Sequence, residues 1–140
     1  MKIKVKKLTK DTKIPAYAYP GDAAFDLLAR VETELNPGEW KNVPTGLAFE
    51  IPEGYAGLIW DKSSVAMKNG IKTLGGVIDS GYRGEVDVGV INLSDKLYLF
   101  EKGHKVAQMI IQKIEQAEII EVAGLSETKR GDKGFGSSGK

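Results

Sequence analysis

The sequence predicts an all-β domain of the sandwich, barrel or jelly-roll type. Its 17 glycines and 5 prolines are scattered through 140 residues and divide the apolar residues into short runs. Several of these runs alternate between apolar and polar residues with a period of two, as half-buried strands do. Short strands at close spacing favour a distorted jelly roll or barrel over alternating strand and helix units.

The apolar runs place the strands along the chain. Strands are predicted at residues 3–8, 46–51, 54–60, 86–91, 97–100, 106–114 and 119–122, with a turn at Pro52 between the second and the third. In the run at 86–91, the three valines Val86, Val88 and Val90 share one face, because side chains alternate across a strand. One short helix is predicted at residues 63–69, with Ser63 or Ser64 as its N-cap and Gly70 at its end.

The end of the chain differs in composition from the rest. Residues 130–140 contain four glycines, and Phe135 is their one apolar residue, so this segment cannot form a core by itself. We therefore expect a β domain at residues 1–129 and a flexible, glycine-rich arm at residues 130–140.

Composition excludes several classes of function. The net charge of +1 does not indicate a basic face for duplex DNA, so no nucleic-acid partner is expected. The absence of cysteine excludes disulfides and thiolate chemistry, and the single histidine, His104, cannot form a histidine-rich metal site. No signal peptide or membrane span is apparent, so the expected compartment is the cytosol and no membrane partner is expected.

Residues 75–85 carry the clearest chemical pattern. Two apolar residues precede Asp79, and Tyr82 follows between glycines, which predicts a β-hairpin that presents a carboxylate and an aromatic ring to one pocket. The carboxylate could accept a proton from water, and the ring could stack on a sugar or base. For this segment alone, an ordinary Asx-type turn with a surface tyrosine is an equally good interpretation.

Residues 61–66 predict an anion site. The hydroxyls of Ser63 and Ser64 and the main-chain N–H groups of a helix start lie beside the cation of Lys62. Taken alone, this pattern is better explained by an ordinary N-cap with a solvated lysine.

Three further segments carry weaker patterns. The run at residues 130–139 combines Arg130, Phe135 and several glycines, which suits phosphate binding, although a disordered end is the better interpretation in isolation. The segment at residues 103–108 is a turn that leads into a strand, and no role is assigned to His104. Asp26 is an acid within an apolar run and needs a partner, either structural or a hydrated cation.

Together, these segments resemble the five motifs of the homotrimeric dUTP diphosphatase (dUTPase) family, which occur in the same order and at similar spacing. The resembling segments are residues 23–27, 62–64, 76–84, 103–108 and 130–139. Three positions depart from the usual family pattern, namely Ala24 and Lys133, which replace glycines, and Lys62, which replaces an arginine. The resemblance implies the dUTPase-like β-clip fold and the hydrolysis of dUTP to dUMP and pyrophosphate, which supplies dUMP for thymidylate synthesis and keeps uracil out of DNA.

The resemblance also implies a role for each site residue. Asp79 is the general base that activates water for attack on the α-phosphorus, and Ser63 is catalytic near the leaving oxygen. Tyr82 packs under the deoxyribose, and the main chain of Gly76, Val77 and Ile78 reads uracil. The phosphates are bound by Lys62, Ser64 and Gln108, and the arm closes over the substrate through Arg130, Phe135, Gly136, Ser137 and Ser138.

The family further implies a cofactor and an assembly. Mg²⁺ would be held mainly by the triphosphate, with Asp26 acting on it through water, because the sequence offers no ligand cluster for a transition metal. In the family the active sites are shared between the subunits of a homotrimer, so a single chain is expected to be nearly inactive.

Two alternatives stay open on the sequence. A dCTP deaminase, or a bifunctional deaminase and dUTPase, has a related fold, but its catalytic glutamate lies ten residues after the hairpin aspartate, where this chain has Gly89. A nucleotide-binding relative without catalytic activity is disfavoured by the presence of Asp79, Tyr82, Gln108, Arg130 and Phe135 together.

Overall fold

A computed structural model describes residues 1–134. These residues form eleven strands and one short helix, which confirms the predicted all-β class. The strands are β1 Lys4–Lys7, β2 Phe25–Leu28, β3 Thr33–Leu35, β4 Trp40–Pro44, β5 Leu47–Glu50, β6 Tyr55–Asp61, β7 Ile71–Leu74, β8 Val77–Ile78, β9 Asp87–Asn92, β10 Tyr98–Phe100 and β11 Lys105–Lys113, and the helix is α1 Ser63–Asn69.

The strands form four antiparallel sheets that do not close into a barrel. The largest has the order β2-β11-β6-β8, the next has the order β4-β9-β7, and the pairs β1-β5 and β10-β3 complete the fold. In the largest sheet, Gln108 of β11 lies between Asp26 of β2 and Trp60 of β6. This sheet therefore brings distant parts of the sequence side by side.

One apolar core fills the space between the sheets. The largest side chains in it with almost no exposure include Leu27, Leu35, Met109, Val43 and Phe100. Burial alternates along β9, where Val88, Val90 and Asn92 are buried and Asp87, Gly89 and Ile91 are not. Because such alternation fixes which face of a strand points inward, it also fixes the register of the strand.

The predicted strands agree with the structure in six places. The runs at 3–8, 46–51, 54–60, 86–91, 97–100 and 106–114 correspond to β1, β5, β6, β9, β10 and β11. The strands β2, β3, β4 and β7 were not predicted, because each has only three to five residues and mixes polar with apolar side chains. Their pairing depends on distant partners rather than on local sequence.

The strand predicted at residues 119–122 is wrong. These residues pair with no strand among residues 1–134, and the side chain of Ile119 is 96% exposed. A run of β-branched residues forms a strand only when another strand satisfies its main-chain groups. The described part of the chain provides no such strand here.

The helix is correctly placed, but its predicted N-cap is wrong. Lys62 is the N-cap, with an extended main chain, and its carbonyl accepts hydrogen bonds from the N–H groups of Val65 and Ala66, both at 2.9 Å. Ser63 and Ser64 therefore lie in the first turn, where both are exposed. Gly70 ends the helix with a φ of 69°, as expected of a left-handed C-cap.

Candidate active site

The basic cluster, defined here as Asp26, Lys62, Lys105 and Gln108, forms at one end of the largest sheet. Lys62 follows the last residue of β6, Lys105 begins β11, and Asp26 lies opposite Gln108 on β2. The ammonium of Lys62 lies 2.7 Å from Oδ1 of Asp26, and the ammonium of Lys105 lies 2.7 Å from Oδ2. The partners that Asp26 needs within its apolar run are therefore these two lysines.

The cluster carries a net positive charge. Burial raises the pKa of Asp26, but hydrogen bonds from Lys105 and Lys62 outweigh this effect, so the pKa of Asp26 lies below its ordinary value. The hydrogen bond to Asp26 also raises the pKa of Lys105. With two ammonium groups against one carboxylate, the cluster itself has a formal charge of +1, and Asp22 adds a second carboxylate to the cleft beside it.

Gln108 is oriented by the main chain of β6. Its amide nitrogen donates a hydrogen bond of 2.9 Å to the carbonyl oxygen of Asp61. A primary amide has a second N–H donor, which this bond leaves available for a ligand. The cleft beside the cluster has a second wall formed by the loop before β2, including Ala18, Tyr19 and Asp22.

The Asp79 loop, defined here as residues 75–86, joins β7 to β9. The predicted hairpin is corrected in one respect. Its paired arms are β7 and β9, with Leu74 opposite Gly89, whereas Val77 and Ile78 form β8 and pair with β6. The two-residue β8 lies at the edge of its sheet, so among residues 1–134 no strand pairs with the other side of its main chain.

Gly76 allows the loop to approach β6. Its φ is 122°, and its carbonyl accepts a 2.7 Å hydrogen bond from the N–H of Ile59. A Cβ atom at this position would lie 2.8 Å from the carbonyl oxygen of Ile59. Because any side chain would be strained and would collide there, the contact requires glycine.

A tight turn presents Asp79 and Tyr82. The N–H of Tyr82 donates to the carbonyl of Asp79 at 3.1 Å, and the phenol of Tyr82 donates to the carbonyl of Glu85 at 2.9 Å. The guanidinium of Arg83 donates to the carbonyls of Ser80 at 2.6 Å and Tyr82 at 2.9 Å. Asp79 is exposed, and no group in residues 1–134 donates a hydrogen bond to its carboxylate, which leaves it available to water.

One chain does not bring Asp79 to the basic cluster. Asp79 follows Ile78, which pairs with Gly57 near the start of β6, whereas Lys62 follows the end of that strand. Five residues of extended chain separate Gly57 from Lys62, which corresponds to about 17 Å. The cleft beside Asp79 includes Glu53 and Ile114 and shares no residue with the cleft of the cluster.

The remaining predicted residues belong to the arm. Arg130 is exposed, and its Nε donates to the carbonyl of Lys133 at 3.2 Å. Phe135, Gly136, Ser137 and Ser138 lie outside the described residues. The sequence assigned no role to Lys105, Asp61 or Arg83, because their hydrogen bonds depend on strand pairing and turn geometry that no local pattern reveals.

The fold and the site define an antiparallel β protein with a cationic cluster suited to a phosphorylated ligand and a separate loop that presents a carboxylate. The dUTPase family model matches residues 10–139. The deoxyuridine 5'-triphosphate nucleotidohydrolase of Nautilia profundicola is 48% identical over 142 residues, which cover 100% of both chains. The enzyme of that name from Clostridium tetani is 44% identical over 140 residues, 99% of this chain and 97% of the other.

A solved structure extends the similarity to three dimensions. The Staphylococcus bacteriophage 80alpha dUTPase G164S mutant, described with dUpNHpp, aligns with a TM-score of 0.93 and 30% sequence identity. The alignment covers 99% of each chain. The chain therefore belongs to the dUTPase family, which confirms the resemblance found in the sequence. No helix within residues 1–134 has the length and apolar character needed to cross a membrane.

Proposed function

We propose that this chain hydrolyses dUTP to dUMP and pyrophosphate, with Asp79 as the general base. The observation that carries this proposal is the conjunction of the basic cluster and the Asp79 loop in a member of the dUTPase family. The relatives named above are nucleotidohydrolases of deoxyuridine 5'-triphosphate, and a structural neighbour is described with the dUTP analogue dUpNHpp.

The basic cluster would bind the phosphate chain. Lys62 stands where the family usually has arginine, so it contributes a point charge instead of a planar pair of donors. Lys105 supplies a second cation, paired with the same Asp26 carboxylate as Lys62, and Gln108 adds an amide N–H donor. The exposed hydroxyls of Ser63 and Ser64 would complete the contacts, with Ser63 at the bridging oxygen of the leaving group.

The Asp79 loop would bind the nucleoside. The edge of β8 that no strand of residues 1–134 pairs offers main-chain groups with which Gly76, Val77 and Ile78 can read the edge of uracil. The ring of Tyr82 lies against Gly84 and would pack under the deoxyribose, where a 2′-hydroxyl would collide with it. This arrangement favours deoxyribose over ribose.

Asp79 would activate the attacking water. Because its carboxylate is exposed and accepts no hydrogen bond within residues 1–134, a water molecule can donate to it. Removal of that proton makes the water oxygen a better nucleophile for the α-phosphorus, and pyrophosphate leaves from the opposite side. The products are dUMP and pyrophosphate.

The separation of about 17 Å along β6 supports a shared active site. The α-phosphate cannot contact the basic cluster and the Asp79 of one chain at the same time, so a second copy must contribute one of them. We propose a homotrimer, with the arm at residues 130–140 closing over a site through Arg130, Phe135, Gly136, Ser137 and Ser138. Closure of this kind would exclude water other than the nucleophile.

Mg²⁺ would accompany the triphosphate. No group of three or more acidic, histidine or cysteine side chains capable of holding a metal occurs within residues 1–134. A hard cation would be carried by phosphate oxygens and water, and Asp26 and Gln108 would act on it only through water, because Lys62 and Lys105 already hold both oxygens of Asp26. When bound, the ion would neutralise charge on the phosphates.

Gly89 disfavours deamination of dCTP. This residue of β9 has no side chain, and a Cβ atom there would lie 3.1 Å from the carbonyl oxygen of Leu74 and 3.5 Å from Oδ1 of Asn42. The catalytic glutamate of the deaminases is therefore missing, and a larger side chain would also be crowded at this position. Its absence favours attack of water on phosphorus over attack on the cytosine ring.

The direct test is release of pyrophosphate from dUTP, dCTP, dTTP and UTP in parallel assays, with and without Mg²⁺. We expect dUTP to be the clearly preferred substrate and Mg²⁺ to increase the rate. Preference for another nucleotide would overturn the proposal. Formation of dUTP or dUMP from dCTP would instead indicate a deaminase.

A further inference from the structure

Asp61, the residue directly before Lys62, binds the neighbouring strand β7 through its carboxylate. Its Oδ1 accepts hydrogen bonds from the N–H of Thr73 at 2.8 Å and from the hydroxyl of Thr73 at 2.7 Å. The ammonium of Lys72 donates to both carboxylate oxygens, at 2.9 and 3.1 Å. Two consecutive residues of β7 therefore hold one side chain of β6.

These contacts join two different sheets. The strand β6 belongs to the four-stranded sheet, and β7 belongs to the three-stranded sheet with β4 and β9. No strand pairing connects β6 to β7, so the carboxylate of Asp61 acts as a polar bridge at the end of β6. The bridge lies where the chain leaves β6 and enters the helix that carries Ser63 and Ser64.

The main chain of Asp61 makes a further contact with the site. Its carbonyl accepts the 2.9 Å hydrogen bond from the amide of Gln108 described above. One residue thus fixes both the start of the Lys62 segment and the orientation of Gln108. The side chain of Asp61 is directed to β7, so it acts on these two residues without itself joining the basic cluster.

The carboxylate is held in its charged form. Burial raises the pKa of Asp61, but the hydrogen bonds from Lys72 and Thr73 outweigh burial, and the pKa lies below its ordinary value. Charge-assisted hydrogen bonds are shorter and stronger than neutral ones. The bridge combines such bonds from Lys72 with two hydrogen bonds from Thr73.

We infer that Asp61 is a positioning residue, which holds Lys62 and Gln108 in the geometry that binds the triphosphate. This inference rests on the proposed function, because it concerns the phosphate subsite of that site. Without the carboxylate, the end of β6 keeps its pairing with Ala107 of β11 but loses its polar bridge to β7, so the Lys62 ammonium and the carbonyl that orients Gln108 are held on one side only. A displacement of about 1 Å in a positioning group can cost about a hundredfold in rate, because the reacting groups lose their alignment.

The test compares Asp61→Ala and Asp61→Asn in the full-length chain. Binding of pyrophosphate and of dUMP is measured by calorimetry, and kcat and KM are measured for dUTP. For Asp61→Ala we expect pyrophosphate affinity to fall and KM to rise about tenfold, whereas dUMP affinity falls less, because dUMP has one phosphate and its nucleoside is bound by the Asp79 loop. Asp61→Asn keeps an acceptor for Thr73 and loses the charge, so we expect it to recover most of the pyrophosphate affinity.

Glu39→Ala is the matched control. Glu39 resembles Asp61 in its contacts. Its carboxylate accepts hydrogen bonds from the main-chain N–H of Asn36 at 2.9 Å and from the side-chain amide of Asn36, and it pairs with the ammonium of Lys41 at 3.0 Å. It lies between β3 and β4 and lines neither of the two clefts. We expect wild-type binding of pyrophosphate and dUMP from this variant.

The inference is overturned if Asp61→Ala binds pyrophosphate as tightly as the wild type, or if affinities for pyrophosphate and dUMP fall in equal proportion. Thr73→Val removes one donor with little change of shape, and it replaces Asp61→Ala if that variant does not fold. We expect Thr73→Val to show the same selective loss at about threefold. If the wild type released no pyrophosphate from dUTP, the proposed function would fail, whereas the pyrophosphate-binding comparison would still test Asp61.

Discussion

Lys62 and Asp26 form an ion pair with 2.7 Å between Nζ and Oδ1, although 36 positions separate them in the sequence. The other oxygen of Asp26 is held by Lys105 at the same distance. The lysine that replaces the usual arginine of the family is therefore not an isolated cation.

Asp26→Asn should destabilise the fold by about 1–3 kcal/mol near neutral pH, because it leaves two lysines without a carboxylate partner. The cost is of this size because the side chain of Asp26 is only 17% exposed. Burial raises the pKa of Asp26, and hydrogen bonds from the lysines lower it further than burial raises it, so the folded pKa lies below the ordinary 3.8. The ionised carboxylate of Asp26 therefore stabilises the fold at pH values above the ordinary pKa of 3.8, and this stabilisation is lost as the pH falls through the lower pKa of the folded state.

We therefore expect the melting temperatures of wild type and Asp26→Asn to differ near neutral pH and to converge as the pH falls below about 4. Both proteins are measured at one fixed concentration, since assembly links melting to concentration. Asp95→Asn, at an exposed aspartate, serves as the control and should melt like the wild type throughout. A difference that stays constant down to low pH would contradict the ion-pair explanation.

Gly84→Ala should weaken the discrimination between dUTP and UTP. A Cβ atom on Gly84 would overlap the phenol oxygen of Tyr82, so the tyrosine ring must move. We expect the ratio of kcat/KM for dUTP to kcat/KM for UTP to fall about tenfold. Losing the packing of a pocket against one substrate atom changes discrimination by about this factor. Gly81→Ala is the control in the same turn, because its Cβ atom would meet nothing within 4 Å.

If Gly84→Ala and Gly81→Ala discriminated equally well against UTP, the position of the Tyr82 ring would not set sugar specificity.

Asp79→Asn should retain binding of dUTP and lower turnover at least about a hundredfold, which is the scale of losing a general base. The substitution preserves the shape of the side chain, and no hydrogen bond within residues 1–134 depends on the carboxylate. Binding is measured by calorimetry with dUpNHpp, and turnover by release of pyrophosphate. Turnover near that of the wild type would remove Asp79 from its role.

Truncation after Lys129 should abolish activity and leave the melting transition nearly unchanged. Residues 115–134 contain no strand or helix, and all of them are exposed, so the part of the arm that the structure describes adds nothing to the core. We measure melting by circular dichroism and activity with dUTP. An unfolded truncation product would show that the arm is structural.

Much of the fold could be predicted from the sequence, because strands such as β9 and β11 carry their burial pattern in their own residues. The short strands β2 and β3 do not, and the apolar run at 119–122 shows that strand propensity without a partner is insufficient.

The site divides in the same way. The turn of Asp79 and Tyr82 could be located from glycine spacing, and the family resemblance indicated Lys62 and Gln108. The bridge of Asp61 to Thr73 and the pairing of Lys105 with Asp26 could not, because each joins strands that only tertiary pairing brings together.

The most direct test of a shared active site is a mixing experiment with two inactive variants. One variant is Asp79→Asn, and the other is Lys62→Met combined with Ser63→Ala. They are mixed, dissociated and reassembled, and release of pyrophosphate from dUTP is compared with that of each variant treated alone. If each site takes the basic cluster from one copy and Asp79 from another, about a quarter of the sites in random mixed assemblies contain both intact parts. We expect activity to recover toward a quarter of the wild-type value. If the assemblies are shown to be mixed and their activity is no greater than that of the separate variants, a site shared between chains is contradicted.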